Sequence, residues 1–215
     1  LQLEPAESVF VVFREPTAER EHTSPKSDYQ AGPELKGDWM VSFDPTFGPN
    51  KPQVFDELTA WNEHKNEEIK YFSGTAAYRK IFQISDPNAE LYLDLGEVGV
   101  MARVLVNGND LGVLWKPPFR VNLSGVLKKG ANQLEVRVTN LWVNKLIGES
   151  RLPETGTIHG AGAWRKYAYQ QFPDWVLSNK PIPEGHRKTF ALWTHYEEGG
   201  KLLPSGLIGP VRFMK

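Results

Sequence analysis

The chain has 215 residues, 25 Lys and Arg against 26 Asp and Glu, and no cysteine. So even a charge balance leaves no broad positive field for nucleic acid or an anionic bilayer. The missing cysteines remove disulfide frameworks, thiol catalysis and thiolate zinc sites together. No apolar run approaches the roughly 20 residues of a spanning helix, so membrane insertion is not expected, and the length suits one substantial core.

Residues 1–15 alternate into one expected strand through "SVFVVF", stopped by Glu15-Pro16. Residues 17–33 are polar and punctuated by proline, as in a linker. The expected division is therefore an N-terminal strand and linker from a preceding domain over 1–33, then the main domain over 34–215. The chain begins without methionine or a basic, apolar leader, and is read as a piece of a longer polypeptide.

In "LKGDWMVSFDP", Trp39, Val41 and Phe43 alternate with polar neighbours, a strand closed by Asp44-Pro45. Phe55, Leu58 and Trp61 then recur at three-residue spacing, predicting a short helix over 56–64. Strands follow regularly: "GTAAYRKIFQI", "AELYLDLGEV", "VMARVLVNG", "NDLGVLW", "FRVNLSGVL" and "NQLEVRVTNLW". Asn107-Gly108 supplies the positive φ of a two-residue hairpin turn, and Asp86-Pro87 and Lys129-Gly130 mark others. Residues 148–185 show no sustained period but hold Trp164, Tyr167, Tyr169, Phe172 and Trp175. Such an aromatic-rich excursion inside a domain is more often functional than idle. Alternation resumes in "KTFALWTHY", and one strand, "LIGPVRFMK", ends the chain. The pattern predicts an all-β protein, an antiparallel β-sandwich of jelly-roll type carrying a long loop excursion.

The run from "YRKIFQI" through "LYLDLGEVGVMARVLVNGNDLGVLWKPPFRVNLSGVLKKGANQLEVRV" resembles the galactose-binding-like, sugar-binding jelly roll of family 2 glycoside hydrolases. More narrowly, "FDELTAWNEHKNEEIKYFSGTAAY", "LWKPPF", "TNLWVNKLIGE", "FPDWVLSNKPIPEG" and "LLPSGLIGPVRF" resemble the C-terminal region of large bacterial α-L-rhamnosidases. The resemblance covers about residues 35–213. It implies a parent enzyme that hydrolyses terminal α-L-rhamnosides in polysaccharides outside the cytoplasm, periplasmic or secreted. Its catalytic carboxylates would lie in a separate upstream domain, the partner of this one. The kinship also suggests a structural calcium, although no EF-hand-like spacing of acids is present.

Cleavage of a glycosidic bond needs two carboxylates facing it. Glu149, Glu154 and Asp174, in or beside the excursion, are the acids to inspect. The histidines lack HxH or HxxxH pairing, and no GxGxxG, phosphate loop or GxSxG is present, which leaves zinc, nucleotide and serine-hydrolase chemistry unsupported. Carbohydrate binding needs only flat aromatic faces with a few polar groups. Trp115, Trp142, Trp164, Tyr167 and Trp175 are the candidate faces, with His159 and Arg165, and with Asn107, Asn140 and Asn144, as hydrogen-bonding partners. Trp39 and Trp193 lie within alternating strands and are expected in the core. In "WKPPF" the prolines stiffen a crossing that fixes Trp115 and Phe119, read as a plug or interdomain contact. The leading expectation is a non-catalytic module that braces its enzyme or binds a terminal rhamnoside or other glycan. A free-standing lectin or adhesion module, and a glycosidase with its own carboxylate pair, are the alternatives.

Overall fold

The computed structural model describes residues 3, 8–10, 12, 14–16, 18, 29–153, 157–159, 168–189 and 196–215, with backbone alone at 157–159 and 168–170. Among the described residues fourteen strands form, and the strand pairs are antiparallel. β1 (Ala31–Glu34), β14 (Arg212–Met214), β5 (Tyr92–Asp94) and β9 (Arg120–Asn122) form a four-stranded sheet in that order. The larger sheet runs β3 (Gln53–Phe55), β2 (Trp39–Phe43), β4 (Thr75–Ile84), β10 (Gly130–Thr139), β7 (Met101–Val106), β8 (Asn109–Leu114). Two further pairs join β13 (Gly206–Gly209) to β6 (Glu97–Gly99), and β11 (Thr157–His159) to β12 (Ala168–Gln171).

The period of two explains the layering. Along β10, Asn132, Leu134, Val136 and Val138 point inward while Gln133 and Arg137 face water. The same alternation in β4 and β7 turns one face of the large sheet onto Leu93, Val121 and Phe213 of the small one. The Phe82 and Phe213 rings meet across the layers at 5.3 Å. This is the expected all-β sandwich. Asn107 (φ 52°) and Gly108 (φ 83°) make the expected turn between β7 and β8. At one end Trp39, Phe43, Phe55, Trp61, Phe72 and Tyr78 form a linked aromatic cluster. Trp61 Nε1–H donates to the Tyr78 hydroxyl, which also accepts from Leu207 N–H at 3.2 Å.

Several elements differ from expectation. The predicted helix over 56–64 is only a 3-10 turn at Trp61–Glu63, followed by the four-residue α1 (Glu67–Lys70). Trp61 N–H bonds Ser205 C=O at 2.8 Å, so a tertiary partner takes the place of a helical one. The expected N-terminal strand does not form among its described residues, and Phe10 is 91% exposed. Alternation without a paired neighbour does not hold a strand. Two predicted single strands are each broken in two. Gly96 (φ 67°) separates β5 from β6, and Pro210, with no N–H, separates β13 from β14. The two breaks touch, since a Cβ on Gly96 would lie 2.4 Å from Gly209 backbone atoms. The excursion carries the end of α2 (Val143–Glu149), the β11–β12 hairpin and α3 (Asp174–Leu177). Trp39 is core as expected; Trp193 lies outside the described residues.

Candidate functional site

Thr75, Thr139 and Met101 stand side by side in the register, and Leu114 pairs with the next residue of β7, Ala102. The segments beginning at Trp115 and Asn140 therefore leave the large sheet from one end. Trp115 is 70% exposed, whereas Phe119, four residues on, is buried. The two aromatics of "WKPPF" thus divide the roles, Phe119 plugging the sandwich while Trp115 faces water. Trp142, immediately before α2, is 48% exposed and meets the Phe47 ring edge-on at 5.2 Å. Leu141 on the second segment, Val100 just before β7, Met101 at its start and Val113 near the end of β8 are also exposed, giving this end an apolar character.

Of the other candidate faces, Trp175 is partly buried on α3. His159 ends β11 opposite Ala168. Trp164, Arg165 and Tyr167 lie outside the described residues. The three asparagines are taken by the fold. Asn140 accepts from Gly74 N–H and donates to Phe72 C=O, both at 2.9 Å. Asn144 clamps Leu203 through its N–H and C=O at 2.8 Å each. Asn107 donates to Val126 C=O and to Asn132, and accepts from Gln133 N–H. Amides that close backbone in this way have little left for a ligand.

The acids divide similarly. Glu149 is 3% exposed; its carboxylate accepts from Lys188 N–H (3.1 Å), Thr189 N–H (3.0 Å) and the Thr189 hydroxyl, and pairs with Lys145 at 3.3 Å. It fastens residues 188–189 onto α2. Asp174 is exposed in the first turn of α3, and Glu154 lies outside the described residues. A general acid at neutral pH needs a raised carboxyl pKa. Among the described residues the displaced carboxyls move down. Thr46 N–H lowers Asp44, and Arg151 lowers Glu67. Arg103 lowers Asp110. Burial pushes Glu135 up, but the Arg137 and Arg79 guanidiniums outweigh it. Among the described residues no group of three or more His, Asp or Glu side chains is placed to hold a metal ion, so the suggested calcium finds no side-chain cluster there.

Two concavities went unnoticed in the sequence. A polar cleft of about 450 Å³ lies among Glu34, Lys36, Asp56, Glu57 and Pro210. A trough of about 760 Å³ crosses the outer face of the large sheet, lined by Met40, Val54, Ile81 and Leu105 together with Arg79, Glu135 and Arg137. The polar positions of the strands foretold an exposed face, but not that strand order would gather these residues into one depression.

No family model matches the chain. A Formosa agariphila protein bearing a provisional β-glucuronidase name is 44% identical over 182 residues, 83% of this chain. The structure superposes on a rhamnosidase from Novosphingobium sp. PP1Y with a TM-score of 0.70 and 31% identity, over 94% of the chain. The chain is related to one segment of larger glycoside hydrolases. It spans 15% of the Formosa protein and 16% of the rhamnosidase. An uncultured Clostridium sp. β-glucuronidase is a looser match, with a TM-score of 0.46 and 20% identity over 56% of the module and 24% of that enzyme.

Proposed function

We propose that this module is a non-catalytic, galactose-binding-like β-sandwich of an α-L-rhamnosidase-type glycoside hydrolase. It braces the catalytic domain of the same polypeptide, and the parent enzyme degrades polysaccharide outside the cytoplasm. The observation that carries this reading is the superposition of nearly the whole chain on a small segment of a rhamnosidase. The filled carboxylate of Glu149 supports a structural role for the one buried acid among the described residues inspected. The apolar end around Trp115, Leu141 and Trp142 supports a docking role, since exposed apolar clusters mark contact surfaces.

A second reading, that the module itself binds sugar, is favoured by Trp115, whose exposed side chain offers a stacking surface. One pair of experiments separates the readings. The chain is assayed for release of 4-nitrophenol from α-L-rhamnoside and β-D-glucuronide substrates, and titrated with L-rhamnose and galactose while the tryptophan indole signals are followed by NMR. A bracing module gives no turnover and no saturable shift. Saturable shifts at Trp115 or Trp142 establish a carbohydrate-binding module, and turnover abolished by a carboxylate substitution overturns the non-catalytic reading.

A further inference from the structure

The trough on the outer face of the large sheet has a chemistry that bracing does not use. Met40, Ile81 and Leu105 give it aliphatic surface, and Ile81 is 65% exposed. Its lining includes three cations, Arg79, Lys80 and Arg137, against two anions, Asp38 and Glu135, in a chain of net charge −1; the Lys80 ammonium donates to the Gly37 and Asp38 carbonyls. Glu135 accepts from Arg79 Nε through one oxygen and from Arg137 Nε through the other. Arg79 has a second bond to Ser42 Oγ, but the terminal nitrogens of Arg137 have no hydrogen-bond partner among the described residues. Arg137 also stands directly opposite Arg103 in the register of β10 and β7. Like charges in directly opposed positions destabilise a sheet, and an anion seated beside them relieves the repulsion. Arg103 is itself paired with Asp110, whose charge Arg137 also helps to hold, and the terminal nitrogens of Arg137 remain the open fork.

We infer that this trough binds an acidic saccharide, its carboxylate or sulfate held by the open fork of Arg137 and its ring lying on Met40, Ile81 and Leu105. A planar fork matches the two oxygens of a carboxylate or sulfate. The aliphatic surface accepts the apolar face of a pyranose, and the exposed Gln133 amide at the rim reaches hydroxyls. That the anion is carried on a sugar rests on the glycoside-hydrolase reading above; that it is an anion rests on the arginines.

The test is an NMR titration of the 215-residue chain with sodium D-glucuronate, D-glucose and sodium acetate at matched ionic strength, following the Ile81 and Met40 methyl signals and the arginine Nε signals. Saturable shifts at Ile81 and Arg137 with glucuronate are expected, with glucose binding weaker by about tenfold or more, a difference of about 1.4 kcal/mol or more, because glucose lacks the charge-assisted hydrogen bond. Arg137→Gln weakens glucuronate binding by about the same factor. Arg137→Lys, which keeps the charge without the fork, gives an intermediate loss and serves if the glutamine variant is unfolded. Equal binding of glucose and glucuronate, equal shifts with acetate, shifts that survive Arg137→Gln, or no shift would each overturn the proposal. Rhamnoside turnover, or an indole shift with neutral rhamnose, bears on the module reading and leaves this one standing.

Discussion

Glu149→Ala tests whether this buried acid is structural or chemical. The wild-type carboxylate takes two backbone N–H groups, one hydroxyl and the Lys145 ammonium, whose side chain is itself only 14% exposed. Removing a partner from a buried ion pair costs about 3–5 kcal/mol, because the remaining charge stays desolvated. Lys188 lies at the surface, so water can reach part of the vacated space, and about 3 kcal/mol is the appropriate magnitude. For a chain of this size that lowers Tm by about 6–12 °C. Glu149→Gln keeps the volume and one carbonyl acceptor, so its loss is smaller. Differential scanning calorimetry reads both, with hydrogen exchange at Thr189 as a local reporter. A Glu149→Ala chain melting within about 2 °C of wild type would refute the structural assignment. So would a parent enzyme that loses turnover in the Gln variant while its stability is unchanged.

Burial holds the Tyr78 phenol well above its ordinary pKa of 10.0. Below pH 10 folded and unfolded chains both keep the proton and stability is full. Above it the unfolded chain releases the proton first, so stability falls as pH rises. Tyr78→Phe removes that alkaline slope in urea midpoints taken from pH 8 to 11, and costs about 1–3 kcal/mol at neutral pH by leaving the Trp61 and Leu207 donors without an acceptor. Gly96→Ala places a Cβ 2.4 Å from Gly209 backbone atoms at a φ of 67°. It lowers soluble yield and Tm more than Gly108→Ala, whose Cβ would meet nothing within 4 Å. Asn132→Ala removes the amide that accepts from Lys128 N–H and donates to Lys128 and Gly130 C=O. It destabilises by roughly 2–4 kcal/mol by chemical denaturation.

Much of the fold was legible because a sandwich writes its layers into local alternation. β2, β4, β7, β8 and β10 lie where apolar and polar residues alternate, and Asn107-Gly108 turns where its backbone permits positive φ. What the pattern could not hold was every feature set by a distant partner. Trp61 leaves a helical period to bond Ser205 and Tyr78, Gly96 breaks a strand against Gly209, and Glu149 is filled by residues 188–189. The candidate site divides the same way. An aromatic inventory was readable, but Trp115 and Phe119 differ in burial for reasons of packing alone, and Asn107, Asn140 and Asn144 are taken by backbone far along the chain. The arginine trough is the plainest case. Its residues alternate outward along several strands, which sequence periodicity dictates; that Arg79, Glu135, Arg137 and Arg103 become neighbours follows only from the order β4-β10-β7, which sheet pairing decides.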